Sequence, residues 1–202
     1  MCREVIIIGA GGHGKVIADI IEKSNDKVFG FLDDNCNDAE IMGYPVLGKT
    51  EDARRYNDKE FFIAIGNNAV RKNIACKYSE LKFYTAIHPK AVIARDVKIG
   101  EGTCIMAGVV INPATVIGRH SIINSGSVVE HDNRLADFVH LSPGAVLCGT
   151  VAVGECTHIG AGAVIKNNVS VTENTVIGVG ASVVGPIDKP GVYVGVPAKV
   201  ME

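Results

Sequence analysis

The stretch IGEGTCIMAGVVINPATVIGRHSIINSGSVV, residues 99–129, repeats in steps of six. Its aliphatic residues Ile99, Ile105, Ile111, Ile117, Ile123 and Val129 belong to a longer ladder running from Ile87 to Val183 without interruption. That ladder has seventeen rungs, since (183 − 87)/6 + 1 = 17. Two places before most rungs stands a small or β-branched residue, such as Ala91, Thr103, Val109, Ser121 or Ala145. A helix at 3.6 residues per turn would scatter a six-residue period around its circumference. A hairpin sheet alternates with period two. A triangular coil of three short strands per turn fits the period. Each side sends one aliphatic residue into a central stack, and the next turn repeats it. Coils of 18 residues give about five turns and a prism roughly 25 Å long. Its flat sides favour a symmetric assembly of three copies.

Outward from the ladder the period changes. Residues 1–85 alternate strand and helix signals. Val5–Ile8 is a branched run suited to a buried parallel strand. Val16, Ile17, Ile20 and Ile21 then share one face of a predicted helix. Val28–Leu32 and Phe61–Ile65 read as further core strands, and Tyr44–Gly48 as an edge segment. Thr50 is placed to cap a helix reaching Tyr56, and another helix is expected from Asn68 to about Tyr78. The result is an α/β half-Rossmann domain, residues 1–85, followed by an all-β parallel coil with a C-terminal tail, residues 86–202.

Composition narrows the partners. The 202 residues carry a net charge of −2, which gives no electrostatic footprint for nucleic acid or an anionic membrane. No apolar run approaches the ~20 residues of a membrane span, and the N-terminus does not read as a signal peptide. The six cysteines contain no CxxC pair, so free thiols in a reducing cytosol are expected.

Three constellations could carry chemistry. Gly9-Ala-Gly11-Gly12-His13-Gly14 follows a strand and opens a helix, and Asp33 and Asp34 end the next strand. This pattern places phosphate or ribose against backbone N–H groups at a helix N-terminus. The half-size sheet disfavours a nicotinamide enzyme and favours another nucleotide-like ligand; a turn chosen only for packing is the remaining alternative. Glu130-His131-Asp132 lies at a coil corner, where an imidazole beside a carboxylate suits a general base. Asn133 stands where Val or Ala is usual, and this departure marks the corner as functional rather than as a plain surface histidine. His140 and His158 are one coil apart and are expected to stack on one face, able to meet an acyl donor or a metal. A catalytic zinc needs three convergent histidines, and His120 and His131 lie at other coil phases, so no metal is expected. His88 reads as structural, His120 as a solvated corner residue, and Cys104, Cys148 and Cys156 as packing residues.

The repeat, with Gly195-Val-Pro-Ala-Lys199 after it, resembles the left-handed β-helix acyltransferases. The Gly9–Gly14 turn, Phe31-Leu-Asp33-Asp34 and Phe61–Asn68 narrow the resemblance to bacterial nucleotide-sugar N-acetyltransferases of the bacillosamine type, with the related sialic acid O-acetyltransferases and perosamine N-acetyltransferases. The resemblance implies a left-handed coil, a cytoplasmic homotrimer with active sites between subunits, acetyl-CoA as donor and a UDP-amino-sugar as acceptor. His131 then matches the base and Asp132 its orienting partner, where the bacillosamine type commonly has Glu. His140, Gly149, Ala161, Val179 and Lys199 match positions that hold acetyl-CoA. Gly11, Gly12, His13, Asp33, Asp34 and Gly66 match positions that hold the nucleotide sugar. Acetylation of a sialic-acid hydroxyl, N-acetylation of GDP-perosamine, and a non-catalytic nucleotide-sugar partner are the alternatives.

Overall fold

The computed structural model describes residues 2–201. The N-terminal sheet is built from β1 (Glu4–Ile8), β2 (Lys27–Leu32), β3 (Glu40–Ile41), β4 (Tyr44–Gly48), β5 (Glu60–Ile63) and β6 (Lys82–Phe83), in the order β3-β4-β2-β1-β5-β6. Every pairing in it is parallel except β3 with β4. β4 is therefore not the edge; the two-residue β3 covers its outer side. Helix α1 (Gly12–Lys23) connects β1 to β2, and α2 (Asn68–Lys77) follows β5. α1 buries Ile17, Ala18, Ile20 and Ile21, whereas Val16 stays 41% exposed and faces a cleft described below. Gly14 has no alternative residue here, because a Cβ on it would overlap the carbonyl oxygen of Gly9. The segment Thr50–Tyr56 is a 3-10 helix whose cap position is Lys49, not Thr50. The Asp52 carboxylate accepts from the Lys49 N–H at 3.0 Å, and the Thr50 N–H donates instead to Asp34 at 2.8 Å. α2 is capped as a helix should be, with the Asn67 side chain accepting from the Val70 N–H.

From Ala86 to Val183 the chain is a left-handed parallel β-helix with three flat faces. The first face stacks Cys104–Ile105, Ile122–Ile123, His140–Leu141, His158–Ile159 and Val176–Ile177 in register, each pair 18 residues from the next. The second face includes Val128–Val129 and Val146–Leu147, and the third Arg134–Leu135 and Ala152–Val153. The ladder is buried from Ile105 to Val183, while Ile87 at the open end is 36% exposed. Each fully buried Ile, Leu or Val contributes about 1.5–3 kcal/mol, so the stack dominates the stability of this half.

A second, polar ladder runs beside the aliphatic one. Thr103, Thr115, Ser121 and Thr157 are buried and donate to the carbonyl fifteen residues ahead: Gly118, Glu130, Ala136 and Thr172. Asn133 belongs to this ladder. Its Nδ2 donates to Cys148 O at 3.1 Å, and its Oδ1 accepts from the Val151 N–H at 2.8 Å. The departure at 133 thus has a structural cause, an amide replacing a hydroxyl, and does not itself mark chemistry.

Candidate active site

Each coil has three corners of two residues, and the second residue of each takes a left-handed backbone. Gly126, Asp132 and Phe138 do so around one coil, at φ +67°, +60° and +60°. The corners stack into three vertical edges. The edge between the third and first faces, running through His120, Phe138 and Cys156, is covered by the N-terminal half. The edge between the second and third faces carries His131 and is open.

At the open edge His131 Nδ1 lies 2.8 Å from Asp132 Oδ2, and the two side chains are 59% and 57% exposed. The carboxylate selects the tautomer with the proton on Nδ1 and leaves Nε2 free to take a proton. Gly149 sits one coil above. A Cβ there would come within 2.7 Å of both Cε1 and Nε2 of the imidazole, so the ring holds this pose only because residue 149 is glycine. His131 O accepts from the Thr150 N–H at 2.9 Å, and Glu130 accepts from Asn112 Nδ2 at 2.8 Å, which hold the corner backbone and its neighbour.

On the first face, the vertex-to-face opposite of His131, lies His140. Its ring stacks on His158 with centroids 4.6 Å apart and planes 1° apart, as the one-coil spacing predicts. Asn124 accepts from the Ser125 N–H through its oxygen, so its amide nitrogen donates to His140 Nε2 at 3.3 Å. His140 therefore carries its proton on Nδ1. His158 Nε2 is 2.7 Å from the Ser142 hydroxyl. Asn124 and Ser142 were not marked by the repeat, because neither breaks it.

His140 shares a cleft of about 260 Å³ with Gly12, His13, Val16, Gly66, Met106 and Asn124. Here the first residues of α1 line the cleft together with residues of the first face. Burial, then the charge of Arg71, pushes the His13 imidazole down to about 4. Burial, then His158 and Arg71, pushes His140 to about 3. Both rings are neutral at physiological pH, and His13 Nε2 and His140 Nδ1 have no hydrogen-bond partner among the described residues. Partial burial raises the Asp33 carboxyl, but the N–H groups of Ala10, Asn35 and Cys36 outweigh it and hold it below the usual carboxylate range. Asp33 is thus spent largely on shaping the turn. Asp34 faces outward into a second hollow of about 410 Å³, lined by Lys49, Thr50, Val70, Asn73 and Ile74.

The remaining predicted positions lie apart. Ala161 and Val179 stack one coil apart on the edge between the first and second faces, where Val179 is 82% exposed. Lys199 is exposed on a short hairpin with Val192–Val194. One protomer therefore brings Gly12, His13, Gly66 and His140 together, but keeps His131 a prism's width away. Among the described residues, no three His, Cys, Asp or Glu side chains converge on a metal position.

Two further histidines complete the picture. His88 is buried at the junction and accepts from the Lys90 N–H through Nδ1, a structural role. His120, expected in solvent, is only 3% exposed. It stacks on Phe138 at 5.3 Å and meets the edge of Phe83 at 4.6 Å, because β6 and α2 dock over its corner.

The chain matches the PglD N-terminal domain over residues 4–78 and the six-repeat bacterial transferase hexapeptide over residues 96–131. It is 41% identical to UDP-N-acetylbacillosamine N-acetyltransferase of Bacillus subtilis over 112 residues, 52% of each chain, so the match spans about half the length of that relative. The acetyltransferase domain of PglB from Neisseria gonorrhoeae superposes with a TM-score of 0.94 at 34% identity, covering 98% of this chain and all of that one. PerB from Caulobacter crescentus, solved with CoA and GDP-perosamine, superposes at 0.91 with 36% identity, covering 98% and 97%.

Proposed function

We propose that this chain, which belongs to the hexapeptide-repeat nucleotide-sugar N-acetyltransferases, transfers an acetyl group from acetyl-CoA to the 4-amino group of a UDP-linked 4-amino-4,6-dideoxy-N-acetylhexosamine. The product is a UDP-diacetamido sugar for glycan synthesis. The observation that carries the reading is the His131–Asp132 pair at 2.8 Å, with Nε2 left open beside Gly149. His131 Nε2 takes a proton from the amine as nitrogen attacks the thioester carbonyl. The C–N bond forms, the C–S bond breaks, and the imidazolium returns the proton to the departing thiolate. Asp132 supports the imidazolium. The Gly149 N–H, which donates to no carbonyl of the coil among the described residues, is positioned for the oxyanion. A sugar amine is already nucleophilic, so no covalent enzyme intermediate is required.

The nucleotide binds at Gly11, Gly12 and His13, where α1 offers free N–H groups to the diphosphate. Gly66 closes the turn opposite, and the hollow beside Asp34 receives the base. Ala161, Val179 and Lys199 lie along the acetyl-CoA path, with His140 near the thioester. Because His131 stands opposite the face bearing His140, a neighbouring copy must supply one of them. A homotrimer with its active sites between prisms satisfies this. No helix among the described residues is long and apolar enough to cross a membrane.

The runner-up is N-acetylation of GDP-perosamine, favoured by the PerB match. Thiol release from acetyl-CoA, measured with UDP-4-amino sugars, GDP-perosamine and sialic acids in parallel, separates the readings. Release only with the UDP-4-amino sugar supports the first. Release only with GDP-perosamine transfers the assignment. Release with no sugar leaves a non-catalytic nucleotide-sugar partner.

A further inference from the structure

Arg71 is the largest fully buried side chain, 1% exposed, and none of the ion pairs among the described residues involves it. It stands one turn after Asn68 on the same face of α2, so the two side chains act together. The guanidinium uses all five N–H donors. Nε donates to His120 O at 2.7 Å, and NH2 donates to Phe138 O at 3.0 Å and Asn68 Oδ1 at 2.7 Å. NH1 donates to Ile65 O at 2.8 Å and Gly66 O at 3.2 Å. Asn68 Nδ2 continues the column to Cys156 O and Thr157 O, at 2.9 and 3.2 Å.

His120, Phe138 and Cys156 are the left-handed corner residues of three successive coils, at φ +51°, +60° and +57°. Their carbonyls are left outside the coil's own ladder. α2 reads one from each coil, with Arg71 taking two and Asn68 the third. The same guanidinium grips both carbonyls of the turn after β5. Burial lowers the guanidinium to about 10, so it is still charged at neutral pH. A buried cation satisfied only by neutral acceptors is costly to keep for packing alone, and apolar contacts would dock two domains more cheaply. Its uncompensated charge lies beside Gly66, where an anion gains from it.

We propose that Arg71, with Asn68, is a positioning residue that pins the Ile65–Gly66 turn to three coils of the prism. The pin sets the reach between the anionic nucleotide and the acetyl-transfer groups, and its charge favours the diphosphate. This rests on the reading that Gly66 helps hold a nucleotide sugar.

The test compares wild type with Arg71→Met, Arg71→Lys and Asn68→Ala as full chains. Backbone hydrogen exchange is followed at residues 65–68 and across the prism, and KM is measured separately for the sugar nucleotide and for acetyl-CoA. Losing a charge-assisted bond network should raise the sugar-nucleotide KM at least about tenfold, with the acetyl-CoA KM unchanged. Exchange should quicken at residues 65–68 while the ladder residues stay protected. Lysine, with one compact ammonium, should rescue little of the effect. If Arg71→Met does not fold, Asn68→Ala carries the test, with a smaller shift in the same direction. An unchanged sugar-nucleotide KM, equal changes in both KM values, or exchange that quickens over the whole chain each overturns the proposal. If wild type transfers acetyl to no sugar while local loosening at 65–68 is seen, the acetyltransferase reading fails and the pin stands.

Discussion

Two corners of the same coil, Arg119-His120 and His131-Asp132, are built alike and end differently. Each bends through a left-handed residue, and each offers an imidazole. His120 is sandwiched against Phe83 and Phe138, and its Nδ1 has no hydrogen-bond partner among the described residues. His131 is 59% exposed and is held by Asp132. The repeat makes corners, but what docks on a corner decides its use. A covered corner turns histidine into a core aromatic; an open corner leaves it free to move protons.

The widest separation between the two corners should come from removing each ring. His131→Ala should lower kcat by about 10²–10⁴-fold, the usual contribution of a positioned base, with the far-UV spectrum and assembly size unchanged. Activity equal to wild type in the thiol-release assay would make the open corner as inert as the covered one. Next in size is Gly149→Ala. The added methyl meets the exposed imidazole first, so kcat should fall about 10- to 100-fold while unfolding free energy stays within about 0.5 kcal/mol. A drop in stability with activity intact would show that Gly149 serves packing instead.

His120→Ala should do the reverse. Losing the stacked ring should cost about 1–3 kcal/mol in denaturant unfolding, with kcat near wild type in the cold. The smallest effect is in pH. Burial first, then Arg119 and Arg71, holds His120 at about 4, below the ordinary ~6.5 of a free imidazole. The unfolded chain therefore takes up the proton first on acidification. The stabilisation is complete above about pH 6.5 and is lost as pH falls towards 4. His13 and His140 add to the same trend. His120→Phe, which removes the titrating group and keeps a ring, should flatten the fall in Tm between pH 6.5 and 4. An identical pH slope in the variant would remove His120 from the account.

The ladder was legible because its period is a property of the backbone: every sixth residue must be apolar whatever the chain does elsewhere. The His140–His158 stack followed from the same arithmetic, since an 18-residue spacing can only mean vertical neighbours. His120 reads as solvated in the sequence because its burial comes from β6 and α2, residues far along the chain that no local pattern connects to it. Val16 shares the apolar face of α1 but meets the cleft rather than the sheet. Asn133 did break the pattern, yet an amide and a threonine hydroxyl make the same bonds there. Arg71 left the faintest trace. Its partners are mostly carbonyls, which every residue has, so no side-chain pattern announces it.

The 18-residue coil also governs how such a chain can change length. Adding a whole coil above Cys156 would lengthen the prism by about one strand spacing, ~4.8 Å, and return every downstream side chain to its own edge. Adding six residues there would turn everything beyond by a third of a revolution, moving Ala161 and Val179 to the edge that His131 occupies. Below Cys156 even a whole coil is excluded, because the column gripped by α2 has a fixed height. Growth in this molecule is therefore quantised and confined to the end away from the docked sheet.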